Sequence, residues 1–290
     1  MLWAAFALLA AFLDAGYYAI VKQFLPSLED EVLAAATFLS ASAIMLLVSL
    51  LHGIPPLSPA LLPSVITTGT LNIAAALLVF YALRRTDLSL AVPLITFTLV
   101  FLMGTSFLVL GEVPTAAGAA GILLIVAGSL VMQVPALISR KSPRDGHGQE
   151  RWGIIAMLVV AFLYSLSLPF DKAVVLASDP VFGSAIVCLF IGGAFLAMSV
   201  LRGSLGRAPR SVALRACLLL GPVLTVEAVA INLAYTLQIV PFVIAVKRLS
   251  ILFAVLFGGL IFSEGEMGYR IAGACIMIAG AVAIVLSTVP

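Results

Sequence analysis

Ten stretches of about twenty residues, each almost wholly apolar, follow one another along the chain. They lie at 2–22, 31–51, 60–83, 88–110, 115–134, 152–174, 180–201, 212–237, 241–262 and 268–288. A helix rises ~1.5 Å per residue, so each stretch can cross the ~30 Å hydrocarbon core of a bilayer. Hydrocarbon supplies no hydrogen-bond partner to a peptide group, and these stretches are too long and continuous for barrel strands. Each is therefore expected to be a helix. Composition agrees. The 290 residues are 63% hydrophobic and 10% charged, with a mean hydropathy of +1.25, whereas a soluble domain carries roughly 25% charged residues. The expected fold class is an all-α membrane protein of ten transmembrane helices. The first stretch has no charged n-region and no clear cleavage site, so it reads as a retained span.

Several functions are disfavoured early. A net charge of +2 is too weak to suggest nucleic acid. Cys188, Cys217 and Cys275 sit singly inside apolar runs and read as buried packing residues. The two histidines, His52 and His147, fall in expected connections. No nucleophile–base pair, metal spacing or phosphate-binding loop is present, so the chain reads as a non-enzyme that needs no cofactor and no ATP.

Most connections are short, so successive helices run antiparallel. The one sizeable polar connection, ALISRKSPRDGHGQER at 136–151, divides the chain into 1–135 and 152–290, five spans each. The two parts resemble each other. GEVPTAAGAAGILLIVAG opens the fifth span and SEGEMGYRIAGACIMIAG the tenth. One offset superposes Glu112 on Glu264, Gly121 on Gly273, Ala127 on Ala279 and Gly128 on Gly280. A second places Ala11, Phe12, Leu13 and Lys22 on Ala161, Phe162, Leu163 and Lys172, and Tyr81-Ala82-Leu83 parallels Tyr235-Thr236-Leu237. Five is odd, so the second half enters the membrane from the opposite side. The expectation is a 5+5 inverted-topology repeat, an architecture whose substrate sites lie near mid-membrane. The glycines 118, 121, 128, 273 and 280 are expected to allow close helix packing, with a dimer face as the alternative.

On the Gly-Glu and Ser-Glu turns at 111–112 and 263–264, the glycine-spaced helices that follow, and Lys22 and Lys172, the chain resembles the drug/metabolite transporter superfamily in its ten-helix EamA-type branch. The resemblance implies alternating-access movement of small polar metabolites. A narrower one concerns AVKRLS. Lys247-Arg248 is similar to the adjacent pair with which organellar sugar-phosphate/phosphate translocators clamp phosphate. Those proteins carry a further lysine in the fourth helix, where this chain has Ile95.

The ionisable residues inside spans carry the functional reading, because such residues usually face an interior or a hydrated cavity. Each of Lys247 and Arg248 costs about 2.5–3.5 kcal/mol at mid-membrane on the insertion scale. Three accounts are open: an anion-binding pair, snorkelling to the interface, or a buried pairing with Glu227. On a continuous helix Lys247 shares a face with Ser250, Ala254 and Gly258. Glu227 reads as a proton-coupling carboxylate, a counter-ion, or a ligand for a substrate ammonium. Asp14 shares a face with Tyr17 and Tyr18, and Tyr164, Ser167 and Asp171 form a similar stripe. Tyr235 follows Glu227 on nearly the same face. The candidate substrate-binding set is thus Lys247, Arg248, Glu227, Asp14, Tyr17, Tyr18, Tyr164, Tyr235 and Ser250. Thr70, Asn72, Thr98 and Thr105 are weaker candidates.

The leading function is secondary transport of a small anionic or zwitterionic metabolite, coupled to a proton or counter-substrate. An amino-acid or amphipathic-compound exporter is the alternative, and a non-transporting scaffold the remote one. The chain is expected in the plasma membrane as a monomer or homodimer. Arg84, Arg85, Arg140, Lys141, Arg144, Arg151, Arg202, Arg207 and Arg210 all flank connections that follow odd-numbered spans. The positive-inside rule then places both termini outside, whereas the resemblance implies termini in the cytoplasm. A reporter that fluoresces only in the cytoplasm, fused after Pro290, is expected to stay dark; fluorescence refutes the charge-based orientation.

Overall fold

A computed structural model describes residues 1–83, 94–138, 147–254 and 267–288, with side chains described except at 22, 80, 135–138, 147–150 and 267. The described residues form helices, turns and loops, without a strand. In chain order the described helices of eight residues or more are α1 Leu2–Phe24, α2 Asp30–His52, α3 Leu61–Leu83, α4 Thr98–Leu110, α5 Ala116–Ile138, α6 His147–Ala177, α7 Pro180–Leu201, α8 Arg210–Leu237, α9 Val240–Lys247 and α10 Met267–Ser287, with a single helical turn at Ser204–Arg207. All except α4 and α9 are long and apolar enough to cross a membrane. The expected fourth and ninth spans extend into 88–93 and 255–262, outside the described residues, as do Pro93, Gly258 and Glu264.

Two expectations need correction. His147 opens α6 instead of lying in a connection, and His52 ends α2, where its Nδ1 lies 3.0 Å from the Val48 carbonyl. Of the three cysteines only Cys188 is buried; Cys217 is half-buried and Cys275 exposed. Pro169 and Pro222 lie within α6 and α8, which continue past them.

The helix ends follow from local chemistry. Asp179 caps α7, its Oδ1 accepting the amides of Val181 and Phe182 at 2.7 Å each, and Pro180 follows where no donor is needed. Gly111 ends α4 in the left-handed region, φ 69°, which suits a residue without Cβ.

Contacts between connections show the antiparallel alternation. Arg207 pairs with Glu29 at 2.9 Å and Arg202 with Glu31 at 3.6 Å, so the ends after α1 and α7 share one side. On the other side the Ser58 amide donates to the Ala177 carbonyl, and Lys172 Nζ to the Gln238 carbonyl at 2.7 Å. Each of these four contacts joins ends of the same parity.

The chain forms two compact units. Apart from Met1, one holds 71–169 and 239–290, and the other 2–70 and 170–238. Each draws helices from both sequence halves. In the first unit α5 packs against α10. A Cβ placed on Gly121 would lie 2.7 Å from the Gly280 carbonyl oxygen, and one on Gly128 2.7 Å from that of Gly273. The Ile284 side chain also crowds Gly121, Met277 crowds Gly128, Met132 crowds Gly273 and Ile125 crowds Gly280. The offset that carries Glu112 to Glu264 maps each member of this set onto another. The glycines therefore serve internal backbone-to-backbone packing. In the second unit α1 and α2 pack against α8, and α2 against α7. Met45, Cys188, Leu220 and Ala216 are buried there, and Ser42 donates to the Ala185 carbonyl across the α2–α7 contact.

Gly128→Ala has to push two backbones apart and is expected to destabilise by about 1–3 kcal/mol. Gly193→Ala, where a Cβ meets nothing within 4 Å, should instead stabilise its helix by about 0.5–1 kcal/mol. Thermal unfolding in detergent measures both; equal effects would remove the packing argument.

Candidate functional site

The expected ninth helix is not continuous. α9 ends at Lys247, Arg248 and Leu249 form a turn, and helix resumes at 250. Through the turn the backbone bonds tighten to the three-residue pattern. Leu249 N–H donates to Val246, Ile251 to Arg248 and Leu252 to Leu249. Lys247 and Ser250 thus lie on either side of this tightened turn.

The fourth span breaks at the equivalent place. Residues 94–95 are helical, Thr96 and Phe97 form a turn, and α4 starts at Thr98. Phe97 N–H donates to Leu94, Leu99 to Thr96 and Val100 to Phe97. The offset that carries Glu112 to Glu264 also carries each of these bonds onto one in the ninth span, with Arg248 in the place of Thr96 and Ser250 in that of Thr98.

Both breaks are enclosed by protein. Val240 to Val246 are all buried, as are Thr96, Thr98 and Leu99. That enclosure is the condition for irregular backbone within a membrane. Two polar atoms stand out at the breaks. Arg248 Nε and Thr98 Oγ1 are buried, with no hydrogen-bond partner among the described residues. Tyr164 lies within electrostatic reach of Arg248. On the neighbouring helices Thr105 donates to the Ser165 carbonyl and the Asn72 amide to Ser167 Oγ, both at 2.6 Å. Thr105 and Asn72 thus bond between helices, while Thr70 donates to the Ile66 carbonyl of its own helix. Ser250 is buried, and Lys247 and Arg248 are half-buried.

The second unit gathers acids. Glu227 on α8 is only 5% exposed. Tyr17 lies beside Thr37 and within electrostatic reach of Glu227 and Asp14. Thr37 donates to the Leu33 carbonyl at 2.9 Å. Cys188 lies within reach of both Asp171 and Glu227, and Thr68 donates to Asp171. Tyr235 is buried at 2% exposure. Tyr18 stands apart from this interior. It is 62% exposed, with its ring edge-on to Tyr17 at 5.4 Å.

The candidates therefore divide. Tyr164, Lys247, Arg248 and Ser250 belong to the first unit, and Asp14, Tyr17, Tyr18, Glu227 and Tyr235 to the second. Sequence reasoning missed Thr37 and Thr68. Their only signal is a hydroxyl inside an apolar span, which most often bonds its own backbone. It also left Asp171 outside the candidate set, although its stripe with Tyr164 and Ser167 was visible.

A buried hydroxyl without a partner costs stability, so Thr98→Val is expected to stabilise by about 1 kcal/mol. Thermal unfolding checks this; a loss of that size would mean that the hydroxyl is satisfied.

Comparison with known proteins narrows the reading. No curated protein matches the chain. A solved structure titled "Crystal structure of protein" superposes with a TM-score of 0.80 over 98% of each chain at 17% identity, a likeness of fold alone. Residues 1–134 match the EamA-like transporter family, which belongs to the drug/metabolite transporter superfamily. The first 134 residues are thus similar to a family of membrane transporters, and the described residues form an all-helical fold with eight helices long and apolar enough to cross a membrane.

Proposed function

We propose that the protein is a secondary transporter that moves a small anionic or zwitterionic organic metabolite by alternating access. The reading rests on one observation: the break in the ninth span falls at the adjacent Lys247 and Arg248, with Arg248 Nε buried and without a partner among the described residues. A buried cationic donor is costly unless an anion arrives to accept from it. The five-plus-five inverted repeat belongs to the same proposal. Its support is the mapping of the Gly121–Gly280 contact onto Gly128–Gly273, and of the break at Thr96–Phe97 onto that at Arg248–Leu249. Ile95 stands where sugar-phosphate translocators have a third cation. The proposed preference is therefore for a carboxylate or a singly held anion, not for a phosphate clamped by three cations.

A second reading is favoured by the acids Asp14, Asp171 and Glu227 around Tyr17 and Cys188. In it the substrate carries an ammonium as well, and the protein exports amino acids or related amphipathic compounds from the plasma membrane. Glu227 would then hold the ammonium or carry the coupling proton.

Liposomes containing the purified protein should exchange at least one organic acid, sugar phosphate or amino acid. Lys247→Leu and Arg248→Gln should each cut that exchange about tenfold or more, as expected for losing a hydrogen bond to a charged group. Inhibition by amino acids but not by simple organic acids selects the second reading. Undiminished exchange in both variants removes the cation pair from the site.

A further inference from the structure

We propose that Glu112 is a positioning residue for the Lys247–Arg248 break, acting through the far end of α9. A chain of local causes places it. Gly111 turns in the left-handed region at the end of α4. The Gly111 amide returns to the Phe107 carbonyl and the Glu112 amide reaches toward that of Ser106. This turn aims the Glu112 side chain, whose Oε2 accepts from Ser106 Oγ at 2.6 Å and from the Val240 amide at 2.8 Å.

Val240 is the first residue of α9, and that helix end has no cap of its own. Ile239 stands at the cap position without a side-chain hydrogen bond, and Pro241 has no amide to offer. A helix start leaves its first amides unpaired and carries a partial positive charge. Glu112 supplies both an acceptor and a negative charge at that point. The second fixed point is Gly118 on α5, where an added Cβ would overlap the Phe242 ring. α9 is eight residues long, so Lys247 lies only ~10–12 Å along the axis from the capped end. A short buried rod held at one end fixes what it carries at the other. The Gly-Glu turn thus sets the position of the cation pair from outside the pair, across 128 residues of sequence.

The flux arm of the test rests on the transport reading; the exchange arm does not. Full-length protein in lipid nanodiscs is compared as wild type, Glu112→Ala and Glu112→Gln by hydrogen–deuterium exchange. In Glu112→Ala, exchange over 239–249 should rise about tenfold or more, while α5 and α10 keep the wild-type rate. Glutamine keeps an acceptor oxygen and loses the charge, so its rise should be a few-fold and confined to the same segment. In liposomes the alanine variant should raise KM for the exchanged anion more than it lowers the maximal rate, and glutamine should restore most of the loss. Unchanged exchange over 239–249 in both variants overturns the proposal. So does a rise shared equally with α5 and α10, which would mark general destabilisation. Should Glu112→Ala not fold, the local rise in Glu112→Gln decides alone, its absence being the negative result. If exchange responds as expected while the wild type moves no anion, the transport reading fails and the placement of α9 by Glu112 stands.

Discussion

Hydrocarbon will not hydrogen-bond a peptide group, and the rest of this structure depends on that constraint. It makes each long apolar stretch a helix, because only a helix satisfies its backbone within one segment. It also determines where a helix can be interrupted. The turns at Thr96–Phe97 and Arg248–Leu249 survive because protein surrounds them and because three-residue bonds replace the missing four-residue ones. The same constraint acts at α9, whose first amide would lie idle without the Glu112 carboxylate.

Close packing is the second theme. Lipid tails are as apolar as leucine, so helices gain little by hiding apolar surface from them. Contact between backbones, through small residues, does more. Gly121 and Gly128 bring α5 onto Gly280 and Gly273 of α10 so closely that no Cβ fits. The offset that carries Glu112 to Glu264 exchanges the two glycine pairs across this contact.

The candidate ionisable residues divide between the two compact units. Lys247 and Arg248 sit at the break in one compact unit. Asp14, Asp171 and Glu227 lie in the other, around Tyr17 and Cys188. Charges of one sign in a low-dielectric setting oppose one another and are costly to keep. Within each group hydroxyls and amides supply further polar contacts, as Thr68 does to Asp171 and Asn72 to Ser167.

Much of this was legible in the residues themselves. Helix content, the antiparallel order and the glycine periodicity follow from hydropathy and spacing, which are local and periodic quantities. The rarity of charge inside spans also singled out Asp14, Glu227, Lys247 and Arg248, because desolvation penalises each wherever it sits. What only the tertiary structure decided is non-local. No proline or glycine marks the breaks at Thr96–Phe97 and Arg248–Leu249; neighbouring helices permit them by enclosing the backbone. Tyr17 and Tyr18 are adjacent in sequence and alike in chemistry, yet one faces an acidic interior and the other is exposed. The Glu112 contact with Val240 joins residues far apart along the chain. Hydropathy can assign each of them to a helix end, but only packing can decide which two ends meet.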